Sequence, residues 1–382
     1  MDTIFSIGSG LSAAPSYLIP FVFVILIVVF FHELGHFLVA RWNGVKIEAF
    51  SVGFGPEIFG FNDRHGTRWK FSWIPLGGYV RFFGDENVAS VPDDEAVARM
   101  SPEARAVSFP AKSVGQRAAV VAAGPIANFL LAIVIFATIF VTHGRIETSA
   151  RVDGIAEGSA AEAAGFTVGD IVLAIDGQAI QSFTDLQRIV SASADRTITV
   201  TVQRGDAKLD LVATPERQEV TDRFGNTHRI GILGLERSRQ DGESIEMTRY
   251  DPATAVWLGV RETGFVITRT LTYLRDVVVG REKADQLSGP IRIAQVSGQV
   301  ASIGFVALLN LAAILSVSIG LVNLFPIPML DGGHLLYYAI EAIRGKPLSP
   351  RAQEYGFRIG LAVVLLLMVF STWNDLSSLN VI

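Results

Sequence analysis

No cysteine occurs among the 382 residues of this chain. Disulfide staples, thiolate metal sites and cysteine nucleophiles are therefore excluded, and any metal must be held by histidine and carboxylate. Histidine is itself scarce, with six in the chain. Charge is thin as well: 18% of residues are Asp, Glu, Lys or Arg, against about 25% in ordinary globular domains. Half of the residues are hydrophobic and the mean hydropathy is +0.40. That balance belongs to a polytopic membrane protein carrying one soluble module. A net charge of −5 gives no reason to expect a nucleic-acid partner. The N-terminus has no basic segment ahead of its apolar run and no small-residue cleavage site behind it. The run is therefore read as a retained span and not as a removed leader.

What is present centres on Phe30–Leu38, which reads FFHELGHFL. On a helix His32 and His36, four residues apart, stack on one face. Two neutral imidazoles there can both reach one Zn²⁺. Glu33 is one residue round from that face, close enough to take a proton from an attacking water. Between Tyr17 and Ala40 these three are the only ionisable side chains. Each costs about 2.5–3.5 kcal/mol or more at the centre of a bilayer unless it is paired or coordinated. A metal site explains why they are there; two unrelated surface histidines would not.

The pattern predicts about four transmembrane helices: 1–40 (holding HELGH), 117–142, 301–334 and 355–372, each near the roughly 20 residues that cross a bilayer. Residues 41–116 are polar and rich in Lys and Arg, from Arg41 and Lys46 to Arg105 and Lys112. The positive-inside rule places them in the cytoplasm and both termini outside. Within them, 46–55 and 68–83 are β-branched and aromatic, punctuated by Gly53, Gly55, Pro56, Pro75, Gly77 and Gly78, as β-hairpins dipping into the membrane would be. Such strands either capture an extended peptide by edge addition or anchor the chain to the membrane surface. Residues 85–112 read as a solvated linker with the acidic cluster Asp93, Asp94 and Glu95. In the second span, Gly124 and Pro125 read as helix-packing residues, and Asn128 either packs or faces the metal cavity.

Residues 150–235 alternate short β-like runs with helical ones, and Gly158-Ser159-Ala160-Ala161, Gly165, Gly169-Asp170-Ile171 and Asp176-Gly177 follow the order of a PDZ domain. This α+β module either binds extended peptide or serves as a spacer or filter. Residues 250–290 predict an amphipathic helix on the outer surface followed by a turn at Ser288-Gly289-Pro290. The third span runs into Asn323-Leu324-Phe325-Pro326-Ile327-Pro328-Met329-Leu330-Asp331-Gly332, where two prolines end the helix.

First and third spans share one direction in this topology, which brings HELGH and Asp331 to the same depth. A catalytic zinc site uses three protein ligands and one open position, so Asp331 is the expected third ligand. Asn323 either holds a substrate carbonyl or hydrogen-bonds a neighbouring helix. His334 is expected outside the ligand set. A zinc ion so held would polarise a peptide carbonyl, with Glu33 moving the proton.

With HELGH in the first span, a PDZ-like insert and NLFPIPMLDG in the third, the chain resembles the site-2 proteases, and within them the bacterial regulator of sigma-E protease group. The resemblance implies that His32, His36 and Asp331 bind zinc, that Glu33 is catalytic and that Asn323 assists. It implies substrates that are single-span membrane proteins already trimmed on the outer side, such as anti-sigma factors and signal-peptide remnants. Gly77, Gly78, Tyr79 and Val80 match the family's membrane-dipping β region, which would hold the unwound substrate. The bacterial inner membrane, with the active site toward the cytoplasm and the termini periplasmic, is the implied location. One PDZ-like module stands where the best-known relatives carry two. A non-catalytic PDZ-bearing membrane scaffold is the rival reading, and a secondary transporter is disfavoured because the two halves show no inverted repeat.

Overall fold

The computed structural model describes residues 2–85, 99–146, 149–180, 182–221, 227–237, 247–282, 284 and 289–378. The acidic cluster of the linker, residues 93–95, and Ser288 of the expected turn lie outside these. The chain divides into two units, one of 1–138 with 255–382 and one of 139–254.

The first unit opens with α1 (Asp2–Trp42). A hairpin follows, β1 (Ile47–Asn62) and β2 (Arg68–Phe82), then the short α2 (Pro102–Val107) and α3 (Val114–Thr142). Beyond the second unit come further helices: α4 (Pro252–Val278), α5 (Pro290–Ile303), α6 (Phe305–Asn323), α7 (Asp331–Arg344) and α8 (Pro350–Ser378). Among the described residues four helical stretches are long and apolar enough to cross a membrane: 15–42, 114–142, 305–323 and 350–377. Helix is the natural state of such runs, because it satisfies every internal N–H and C=O without water.

Small residues let these helices approach closely. A Cβ at Gly35 of α1 would strike the Ala123 carbonyl and come within 2.7 Å of Ala127 Cβ on α3. On α6, a Cβ at Gly320 would lie 3.1 Å from both Asn128 Cβ and the Pro125 carbonyl. Backbone-to-backbone packing of this kind is how helices associate where no hydrophobic driving force exists between them. Helix α3 is thus flanked by α1 and α6, the two helices that bear the sequence motifs.

Two expectations change here. The third span, expected from 301, begins only at Phe305, after Gly304, whose φ of 145° favours glycine; it ends at Asn323, ahead of the two prolines expected to stop it. Residues 46–83 form one long hairpin instead of separate ones. Its strands bend back on themselves, so Phe50 of β1 pairs with Val80 on one side and Trp69 on the other. Glycine and proline at 53–56 and 75–78 mark the irregularities that permit this bend, not separate turns. Phe50 is fully buried, packed against Phe30 and Phe37 of α1 and stacked on Trp69. The outward side shows Ile58, Phe59, Trp73 and Leu76, each more than half exposed.

The hairpin's true turn, at 63–66, is fastened to the end of α1. Asp63 accepts from the backbone N–H groups of His65 (2.8 Å) and Thr67 (3.0 Å) and from Arg41 Nη2 (2.6 Å). Burial alone would raise this carboxyl, but those donors outweigh it and hold it well below the usual carboxylate range. Helix α4 buries Ala255, Leu258, Gly259 and Thr263, and a Cβ at Gly259 would lie 2.8 Å from the Ile133 carbonyl of α3. It therefore packs on a neighbouring helix as well as presenting an exposed face, and it ends at Val278. Asp375 of α8 caps α5, accepting from the N–H groups of Gly289, Ile291 and Arg292 at 2.8–3.0 Å.

The second unit is a β-rich module. A four-stranded sheet of β3 (Ile171–Ile175), β4 (Gln178–Ala179), β5 (Ile198–Arg204) and β6 (Ala207–Ala213) has the order β4-β3-β5-β6. A helix over Phe183–Ser191 carries Phe183, Leu186 and Val190 into the core, at the helical spacing of three and four. They meet Val172, Val200 and Val202, whose alternation along β3 and β5 places them on one face. Ser182 caps that helix through the Asp185 N–H at 3.2 Å.

Candidate metal centre

A cavity of about 500 Å³ opens among α1, β2, α6 and α7. Nine residues singled out from the sequence line it: His32, Glu33, His36, Gly77, Gly78, Tyr79, Val80, Asn323 and Asp331.

His32 and His36 point their Nε2 atoms at one another across 3.2 Å. Asp331 completes a triangle, with Oδ2 3.2 Å from His32 Nε2 and Oδ1 3.6 Å from His36 Nε2. Two ligand atoms about 2.0–2.2 Å from one ion at a tetrahedral angle lie about 3.3–3.6 Å apart, so the triangle has the size a zinc ion requires. Asp331 Oδ2 is also buried without a hydrogen-bond partner among the described residues. An orphaned carboxylate oxygen beside two imidazole nitrogens is costly unless a cation satisfies it. These residues fit a zinc ion.

The surrounding backbone explains how they come to be aimed inward. His36 Nδ1 lies 2.9 Å from the Val120 carbonyl of α3. As donor to that oxygen, the ring leaves its Nε2 lone pair facing the cavity. A Cβ at Gly124 would collide with the His36 ring and reach within 2.9 Å of His32 Cε1. Gly124, read from sequence as a packing residue, is thus the residue whose absent side chain makes room for both imidazoles. Asp331 opens the first turn of α7. Side chains at Gly332 and Gly333 would collide with the Leu324, Phe325 and Ile327 carbonyls. The 324–330 loop therefore lies directly on the start of α7 and sets the direction of Asp331. Met329, just before it, has a φ of 93°, a strained conformation for a side-chain-bearing residue. At the far end of α7, Glu341 accepts from Arg117 Nη2 at 2.6 Å, and the Arg117 guanidinium sits 4.8 Å from the Tyr338 ring centre, tying α7 to α3.

Glu33 stands beside the triangle and against β2. A Cβ at Gly78 would lie 3.2 Å from Glu33 Cγ. Residues 78–81 pair with β1 along one edge, and among the described residues no strand pairs with the other. His334 lines the cavity without joining the three-residue cluster. The Val120 carbonyl left no sequence signal, being backbone.

Two imidazoles and a carboxylate around one position, with a glutamate adjacent, define a zinc hydrolase site. The model of Peptidase family M50 matches residues 20–367, and this chain belongs to that family, the site-2 proteases. A protein of Agrobacterium fabrum provisionally named as a zinc metalloprotease is 53% identical over 363 residues, covering 95% of this chain and 96% of its own. The metalloprotease MmpA of Caulobacter vibrioides is 41% identical over 389 residues, again covering 95% and 96%. The metal of this site is accordingly zinc. A solved PDZ domain of an SdrC-like protein from Listeria monocytogenes matches 22% of the chain at 17% identity and a TM-score of 0.17, too slight a likeness to define the fold of 150–235.

Proposed function

We propose that this chain is an intramembrane endopeptidase that cuts single-span membrane proteins within their spans after trimming on the outer side. One observation supports this above the others. The zinc-ligand set, Glu33 and a strand with an open edge line one cavity on the flank of a helix apolar enough to cross a membrane.

Bound zinc supplies a Lewis acid that polarises a peptide carbonyl and acidifies a water. Glu33 takes the proton of the attacking water and passes it to the leaving amine. Asn323 donates from its amide to the carbonyl oxygen as charge develops there. A helical substrate hides its amides in i→i−4 bonds and must unwind before attack. The edge at Gly77, Gly78, Tyr79 and Val80 holds the opened backbone by β-addition. The exposed aromatic face of the hairpin suits a position in lipid. In this reading the loop 41–116 faces the cytoplasm of a bacterial inner membrane, the termini are periplasmic and the 150–235 module filters substrates as a PDZ-like domain. Anti-sigma-factor-like proteins and signal-peptide remnants are the substrate classes.

Co-expression of candidate single-span proteins with wild type and with Glu33→Gln is the test. Zinc content should be equal in the two, and the cytoplasmic fragment should fall by about 10²–10⁴-fold in the variant. Undiminished cleavage by Glu33→Gln would remove Glu33 from the mechanism.

A further inference from the structure

Asn128 is the one polar side chain of α3 that reaches the metal centre, and the mechanism above leaves it without a task. It is completely buried. Its Nδ2 lies 3.3 Å from His32 Nδ1, and its Oδ1 has no hydrogen-bond partner among the described residues. Its backbone is held in place from α6: the Asn128 carbonyl accepts from Ser316 Oγ at 2.8 Å, and Gly320 offers no side chain where Asn128 Cβ comes close.

An amide and an imidazole meeting through two nitrogens form a hydrogen bond only if the ring nitrogen accepts. Yet His32 faces Asp331 and His36 through Nε2, and a cation there takes the Nε2 lone pair, so the ring hydrogen resides on Nδ1. Both nitrogens would then be donors. A half-turn of the amide about Cβ–Cγ, which hardly changes its shape, exchanges Oδ1 for Nδ2 and turns the clash into an N–H···O bond. We propose that Asn128 is a positioning residue: its Oδ1 accepts from His32 Nδ1–H, fixing the tautomer and ring plane in which His32 ligates zinc. His36 has its counterpart in the Val120 carbonyl, so each histidine is oriented by an oxygen from α3. The inference rests on the zinc reading of His32, His36 and Asp331.

Zinc affinity of the full-length protein in detergent, measured by competition with a chromophoric chelator, tests it, with the visible absorption of the cobalt-loaded form as a second readout. Removing an outer partner of a ligand typically costs 10–100-fold in metal affinity. Asn128→Leu, which matches the volume but cannot accept, should lose affinity by that factor and alter the cobalt bands. Asn128→Asp, which keeps an acceptor, should recover most of both. If the Leu variant fails to fold, Asn128→Ala in the same titration takes its place with the same expectation. Wild-type affinity in the Leu or Ala variant overturns the proposal. So does equal loss in Asn128→Asp and Asn128→Leu, which would mark a packing role. His32→Ala is the control: full zinc retention there would overturn the metal site itself, whereas its loss beside an unaffected Asn128→Leu would overturn the positioning role alone.

Discussion

Two aspartates, one in each unit, show what separates a structural carboxylate from a functional one. Asp170, in the β module, is wholly buried and accepts from four donors: Arg204 Nε and Nη2, both at 2.8 Å, and the Thr167 N–H and hydroxyl at 2.9 and 3.0 Å. Asp331, at the cavity, has a side chain 17% exposed and an Oδ2 with no hydrogen-bond partner among the described residues. Desolvation penalises both. The fold answers it at Asp170 with its own donors, and at Asp331 leaves an oxygen to be satisfied by a cation. A carboxylate saturated by the protein holds the protein together; one left unsaturated beside two imidazoles is prepared for something the chain does not itself provide.

The contrast breaks first at Asp331. Asp331→Ala should abolish stoichiometric zinc binding, because two imidazoles alone do not complete the three-ligand set. With zinc chelated from both proteins, the same substitution should leave the melting temperature unchanged or raise it, since it removes a poorly satisfied buried carboxylate. A large drop in melting temperature of the chelated variant would show that Asp331 is structural after all. Next in size is Gly124→Ala. One methyl group there overlaps the imidazoles, and overpacking of this kind costs about 1–3 kcal/mol, equivalent to roughly a 5–150-fold loss of zinc affinity if it falls on the ligated state. Unchanged affinity would mean that the histidines are free to move aside.

The zinc site was largely legible in the sequence because its parts are local and their spacing is geometric. His32 and His36 announce a helix face by being four apart, and Asp331 follows from ligand count once the two motifs share a depth. What holds the histidines was not legible. The Val120 carbonyl belongs to the backbone and has no residue signature. Gly124 acts through what it lacks, and a glycine in an apolar helix reads the same whether it admits a neighbouring helix or an imidazole. Asn128 could be listed but not assigned, because its partner lies 96 positions away. The bend of the hairpin was not legible for a related reason: glycine and proline mark turns and bulges alike, and only the pairing of Phe50 with both Val80 and Trp69 tells them apart.

The smallest effect tests the saturated member of the pair. Burial would raise the Asp170 carboxyl, but the hydrogen bonds from Arg204 and Thr167 prevail and lower it. A carboxyl whose folded value lies below its unfolded one adds stability above the unfolded value, near 3.9. That stability is lost as the pH falls through the folded value. Asp170→Asn keeps the volume and one acceptor oxygen but loses the charge-assisted bonds, at about 1.5–2 kcal/mol near neutral pH. Pepsin digestion of the full-length protein between about pH 2 and pH 5 reads the difference on the acid side. The variant's module should be cleaved faster than wild type at the upper end, and the two rates should converge at the lower end as Asp170 takes up its proton. A constant ratio across that range would show that ionisation of Asp170 contributes nothing to the module, and the saturated carboxylate would then be no more than a neutral hydrogen-bond hub.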